Sequence, residues 1–137
     1  MSGAGMTEVA AGLVMRDGRV LVCQRRADEP HAHKWEFPGG KREAGETFVE
    51  CLRRELSEEL GIAADIGAEV WRTDYVYPGR NPVRLVFFVV PSHRGDVENR
   101  VFAALRWAAV DDLPDLDFLA ADRELIDLLV AGAIALR

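Results

Sequence analysis

Residues 39–62, GGKREAGETFVECLRRELSEELGI, carry the reading of the fold. Two glycines open the stretch as a turn and Gly61 closes it. Between Glu46 and Leu60 there is no Gly and no Pro, and Leu, Arg and Glu are good helix formers. Thr47, with Glu50 three residues on, reads as a capping box, and Gly61 as a C-terminal stop. Phe48, Leu52, Leu56 and Leu60 recur every four residues and predict an apolar stripe on a helix over 47–60. Glu55, Glu58 and Glu59 then share the other side of the last turns. Like charges at this spacing cost a helix roughly 0.2–0.5 kcal/mol per pair. They also sit where the helix dipole disfavours negative charge. Two readings follow: a solvated acidic face, or carboxylates relieved by a hard divalent cation that takes oxygen ligands.

The wider spacing bears on that choice. Counting from Gly40, five residues precede Glu46, and seven more precede Arg54 and Glu55. Leu56, Glu58-Glu59, Gly61 and Ile62 complete the pattern. This resembles the Nudix box, filled at every fixed position over residues 40–62. The resemblance implies cleavage of a nucleoside diphosphate linked to another group, with Mg²⁺, or Mn²⁺ in its place. It implies that Glu55, Glu58, Glu59 and the Gly40 carbonyl are metal ligands. It makes Arg54 and Glu46 a buried orienting pair, with one of the glutamates activating the water.

The chain around the box suits one domain over residues 1–137, with 1–7 flexible and Met6 an alternative start. Hydrophobic residues are 49% and charged residues 29% of the 137, an ordinary soluble composition. No apolar run reaches a membrane-spanning length, and the N-terminus lacks a secretory pattern. Cys23 and Cys51 both fall in apolar patterns and read as buried free thiols rather than a disulfide. Together these point to the cytoplasm. The formal net charge of −6 argues against a nucleic-acid track, but not against a small nucleotide.

Upstream, 9–15 and 19–25 read as strands joined at Asp17-Gly18. The polar loop 25–34 contains Arg25, whose guanidinium matches phosphate oxygens. His31 and His33 in the same loop lack a third ligand nearby and read as solvent-exposed. The lead-in Trp35 to Lys41, WEFPGGK, resembles that of the MutT-type triphosphate pyrophosphohydrolases within the family. That likeness places Glu36 and Phe37 in a nucleoside pocket and Lys41 by the phosphates or metal, with Gly39 allowing close backbone approach.

Downstream, 64–77 reads as extended, 78–82 as a hairpin loop, 83–90 as a buried strand and 91–100 as a polar loop. A strand is expected through 105–107, a turn at 111–115 and a helix over 118–136. This order fits an α/β/α sandwich with a mixed sheet between helices, the Nudix fold. The C-terminal segment also resembles that of MutT-like proteins, in which it closes over the base. Where the protein that removes 8-oxo-dGTP uses an asparagine amide, this chain has Asp122. An ionised carboxylate only accepts hydrogen bonds, which would favour bases with amino donors, as in CTP or 5-methyl-dCTP. Asp122 could equally cap the helix, and Phe118 and Leu119 could pack on the base or in the core. Some relatives place a further glutamate in the loop before Trp107. Val101 stands there in this chain, and Glu98 is out of register.

The expectation is a metal-dependent nucleoside triphosphate pyrophosphohydrolase that removes non-standard nucleotides such as 8-oxo-dGTP. The alternatives are another diphosphate substrate, such as ADP-ribose, and a nucleotide-sensing domain without turnover.

Overall fold

The computed structural model describes residues 5–136. Of the stretch 1–7 expected to be flexible, residues 1–4 lie outside the described residues, and Thr7 already donates its amide to the Pro82 carbonyl. Strands β1 (Thr7–Arg16), β2 (Arg19–Gln24), β3 (Trp35–Glu36) and β4 (Gly39–Lys41) precede helix α1 (Phe48–Leu60). There follow β5 (Ala63–Asp65), β6 (Glu69–Tyr75), β7 (Val83–Val90), β8 (Ser92–Arg94) and β9 (Ala104–Ala109), then a short helix α2 (Arg123–Val130).

The main sheet runs β3-β2-β1-β7-β6, with β4 paired to β1 and β9 to β2. It is mixed: β1 and β7 are parallel from Thr7↔Val83 to Val14↔Val90, and the other pairings are antiparallel. The period of two along each strand divides the apolar residues between two cores. Ala10, Val14, Leu21, Val86 and Val90 meet Leu52, Leu56 and Leu60 of α1 on one face. Leu13, Val20, Val22 and Phe87 meet Leu125, Ile126 and Leu129 of α2 on the other. The result is the expected α/β/α sandwich.

The predicted caps of α1 are present. Thr47 Oγ1 accepts the Glu50 amide at 3.0 Å, and Glu50 accepts the Thr47 amide at 2.8 Å. Gly61 ends the helix at φ +69°, its amide bonded to the Ser57 carbonyl. Cys23 and Cys51 are buried free thiols, as expected. Among the described residues, no helix is long and apolar enough to cross a membrane.

Two expectations are corrected. Residues 39–41 form strand β4 on β1, not a free glycine turn. The helix expected over 118–136 is confined to Arg123–Val130. Its intended start is diverted because Phe118 bridges Trp35 and the Leu119 amide donates to the Trp35 carbonyl. Its end is set by Gly132 at φ +73°.

The Gly39–β1 contact brings the lead-in segment to the acidic helix. A Cβ on Gly39 would overlap the Ala10 carbonyl oxygen and lie 2.7 Å from the Ala11 Cα. Both are backbone atoms of the central strand and cannot swing aside. Gly39→Ala is therefore expected to destabilise the protein by about 2–4 kcal/mol. Urea unfolding would check this, and a loss under about 0.5 kcal/mol, the scale of an ordinary surface change, would contradict the packing described.

Candidate active site

Strand β4 and the last turns of α1 meet at Gly40 and Glu55. A Cβ on Gly40 would lie 2.5 and 2.6 Å from the two Glu55 carboxylate oxygens, so only glycine lets this carboxylate lie against the strand. The Gly40 carbonyl accepts the Cys51 thiol at 3.4 Å.

Arg54 organises the acidic groups around this contact. Its Nε donates to Glu46 Oε2 at 2.7 Å and its second terminal nitrogen to Glu46 Oε1 at 3.0 Å, a two-point fork. The same guanidinium donates to Glu55 at 3.1 Å, to Glu58 at 3.3 Å and to the Lys41 carbonyl at 3.1 Å. Hydrogen bonds from Arg54 first, and from the Glu43 amide second, hold the Glu46 carboxyl down at about 2. Glu46 therefore stays ionised and pins loop 41–46 to the helix.

The three box glutamates are not equivalent. Glu58 is 58% exposed and turned toward Arg54 and solvent. Glu55 is half-buried, and desolvation raises its pKa against the pull of Arg54. Glu59 faces a cleft and has no basic partner among the described residues; desolvation first, then Glu55 and Glu36, push its carboxyl up to about 8. Its Oε1 is buried with no hydrogen-bond partner, although buried polar atoms are rarely left unsatisfied. Among the described residues, no three Asp, Glu, His or Cys side chains converge on one point as a ready-made metal cage. The donor types nonetheless suit a hard divalent cation: the Glu55 carboxyl lies against Gly40, Glu59 and Gly40 line the same cleft, and one Glu59 oxygen is buried and unsatisfied.

The cleft, about 920 Å³, runs from Glu59, Gly40 and Lys41 to Asp122. Gly39, Glu36 and Phe37 line it between these ends. Phe37 is held edge-on to Phe87 at 6.1 Å and against Phe118 at 5.2 Å. Arg25 also lines the cleft, but its guanidinium is committed. It donates to both Glu36 oxygens at 3.1 and 3.2 Å and to the Pro30 carbonyl at 2.8 Å, and pairs with Glu29 at 3.5 Å. Arg25 thus braces Glu36, whose pKa is nevertheless raised because burial outweighs the ion pair. His31 is exposed at the rim, with its ring 4.7 Å from that of Tyr77. Partial desolvation, then Arg25, lower its pKa.

At the far end Asp122 is 3% exposed, the one buried charged residue among those described. It stands at the N-cap position of α2, but its side chain makes no capping hydrogen bond. Burial, then Glu36, raise its pKa to about 8, so it is a neutral acid at pH 7. Of the two places open to Phe118, the structure shows the core, at 2% exposure beside its bridge to Trp35, while Leu119 lines the cleft.

Sequence reasoning missed two groups. Arg100 donates to the Ser57 carbonyl at 3.2 Å, and its amide to the Glu59 carbonyl, so a cation from loop 95–103 covers the C-terminus of α1. The last turn of α1 has no basic residue of its own, which was the available signal. Tyr77 lines the cleft and bonds the Ala121 amide, 44 positions away; no local pattern announces such a contact. Glu98 pairs with Arg100 at 2.8 Å, and Val101 is on the cleft wall.

The geometry has close counterparts. A NUDIX domain profile matches residues 6–129. The chain is 36% identical to the CTP pyrophosphohydrolase of Escherichia coli (strain K12), over 92% of this chain and 93% of that one. It is 34% identical to the 8-oxo-dGTP diphosphatase of Haemophilus influenzae, over 90% of each. The crystal structure of a MutT NUDIX hydrolase from Burkholderia pseudomallei superposes with a TM-score of 0.80 at 28% identity, covering 89% of this chain and 96% of that one. The chain therefore belongs to the NUDIX domain family and is a Nudix hydrolase.

Proposed function

We propose that the protein hydrolyses nucleoside triphosphates to the monophosphate and pyrophosphate, and that it acts on oxidised or otherwise non-standard nucleotides such as 8-oxo-dGTP. The reading rests on one observation. A single cleft joins an under-compensated carboxyl end, at Glu59 with Glu55 behind it against Gly40, to a buried neutral acid, Asp122. The first end suits a metal-bound polyphosphate and the second a hydrogen-bonding base edge. The site is the single domain of residues 1–137. Its place would be the cytoplasm, among free nucleotides and reduced thiols.

Mg²⁺, with Mn²⁺ as substitute, would be held by Glu55, Glu59 and the Gly40 carbonyl, and Glu58 could turn inward from its exposed position. When bound, the cation would neutralise phosphate charge and lower the pKa of the attacking water. Arg54 and Glu46 hold the glutamates in place. A box glutamate takes the water proton as the water oxygen attacks the β-phosphorus, and the bond to the α-phosphate oxygen breaks. Lys41 beside the phosphates supplies positive charge. Glu36, Phe37 and Leu119 wall the nucleoside.

The state of Asp122 changes the argument about the base. Protonated, it offers one donor and one acceptor, as an amide does, and not the acceptor-only edge of a carboxylate. An oxidised purine is then accommodated. A second reading, a preference for CTP-type or 5-methyl-dCTP-type nucleotides, is favoured by the similarity to a relative named CTP pyrophosphohydrolase.

A hydrolysis panel in Mg²⁺ with 8-oxo-dGTP, dGTP, CTP, 5-methyl-dCTP and ADP-ribose, with products separated by chromatography, tests this. Monophosphate plus pyrophosphate from a triphosphate is the expected result. Cleavage of ADP-ribose alone would overturn the triphosphate assignment, and tight nucleotide binding without turnover would make the protein a sensing domain. Glu55→Gln and Glu59→Gln are each expected to lower kcat by about 100-fold or more with a native circular dichroism spectrum. Near-normal turnover in both would show that the site is elsewhere.

Asp122 also gives a stability prediction. Its folded pKa of about 8 lies above the ordinary aspartate value of 3.8, so the folded state binds the extra proton between these values. Stability of the wild type relative to Asp122→Asn should therefore fall as pH rises from about 4 to about 8, by an amount on the order of a few kcal/mol, and level off above. Urea unfolding of both proteins at pH 5, 7 and 9 measures the difference; parallel curves would mean that Asp122 is ionised in the fold.

A further inference from the structure

We propose that Tyr77 is a positioning residue for base discrimination, its hydroxyl fixing the backbone that aims Asp122; this rests on the reading of Asp122 as the group facing the base. Tyr77 lies just beyond β6, half-buried, in the connection that leads to β7. Its hydroxyl oxygen accepts the Ala121 amide at 3.1 Å. Ala121 belongs to the single 3₁₀ turn Ala120–Asp122, and an amide at the start of such a turn has no partner within it. The phenol supplies that partner.

The consequence falls on the next residue. The Asp122 amide is bonded to the Leu119 carbonyl at 3.0 Å, and the Leu119 amide to the Trp35 carbonyl at 3.0 Å. One end of segment 119–122 is thus tied to β3. The tie from Tyr77 holds its middle to the opposite lip of the cleft. No hydrogen bond to another side chain, and none to the start of α2, fixes the Asp122 carboxyl among the described residues, so its direction is set by this backbone. The Tyr77 ring is itself held, 4.7 Å from His31 and 4.7 Å from Tyr75. His31 stands at φ +56° in the loop between β2 and β3, so a second loop packs on this ring. Three segments distant in sequence therefore meet at one phenol, and one of them carries the group that would touch the base.

Tyr77→Phe keeps the ring and removes only the acceptor. CTP and UTP differ at the base by an amino group against a carbonyl, which makes their ratio of kcat/KM a direct readout of what Asp122 distinguishes. Tyr77→Phe is expected to shrink that ratio by about 5–10-fold, carried by KM more than kcat, the scale of one mis-set hydrogen bond in a selective pocket. In an Asp122→Asn background the same change should leave the ratio within about twofold, because the two residues act through one element. A ratio unchanged in Tyr77→Phe, whatever its melting temperature, would reduce Tyr77 to a structural contact and overturn the proposal. So would an equal effect in both backgrounds, which would mean that Tyr77 acts without Asp122. If Asp122→Asn alone leaves the ratio unchanged, it is the base-facing reading of Asp122 that fails, a result distinct from either.

Discussion

The guanidinium of Arg54 is bonded at once to Glu46, Glu55, Glu58 and the carbonyl of Lys41. Five acidic residues crowd this end of the molecule, counting Glu43 and Glu59, and one fixed planar cation hydrogen-bonds three of them and lies 3.8 Å from Glu43. The fork to Glu46 does more than neutralise charge. Glu46 also accepts the Glu43 amide at 2.8 Å, so the pair closes loop 41–46 onto the helix. With that loop closed, β4 stays on β1 and Gly40 stays against Glu55. A lysine could not hold this arrangement, because an ammonium lacks the planar fork.

What Arg54 does not reach is as informative. Among the described residues Glu59 is left with no basic partner, a buried oxygen unsatisfied and a raised pKa. A helix end normally attracts cations, yet the last turn of α1 carries none, and Arg100 arrives from another loop to cover its carbonyls. The compensation is thus placed on the backbone of the helix end, leaving Glu59 free toward the cleft. A buried carboxyl group left without compensation in this way is one that a bound cation would relieve.

The opposite end of the cleft is built on a different principle. Asp122 is kept neutral by removal from water, with Glu36 adding to the cost of ionising it. Arg25, the obvious counter-ion, is already committed to Glu36, Glu29 and the Pro30 carbonyl. The Arg25–Glu36 pair therefore has two effects: it walls the cleft with a fixed carboxylate, and it withholds the positive charge that would otherwise draw the proton from Asp122. Carboxyl groups in and beside the cleft thus differ by their share of the available guanidinium groups: Glu46, paired with Arg54, stays ionised, whereas Glu59 and Asp122, on the cleft wall without such a pairing, are both raised to about 8.

Much of this was legible in the chain. The capping box at Thr47 and Glu50, the stop at Gly61, the apolar stripe of α1 and the hairpin at Asp17-Gly18 are local patterns, set by neighbours within four residues, and they appear as read. The box spacing led to the family because it is a fixed register on one helix and one adjoining strand. The shortened C-terminal helix, the inward turn of Phe118 and the strand at residues 39–41 could not be read, since each depends on a partner far along the chain: Trp35 for Phe118, β1 for β4. The same holds for chemistry. Sequence identifies Asp122 as a carboxyl group but not its protonation state, which depends on the water that folding removes. It offers Arg25 as a free cation, and the fold brings Glu36 and Glu29 to occupy it. Residue type and spacing determined the fold class and the chemical groups available; only the tertiary structure decided which charges are paired, which are buried and which remain open to a ligand, because solvation and ion pairing depend on distances that no local pattern encodes.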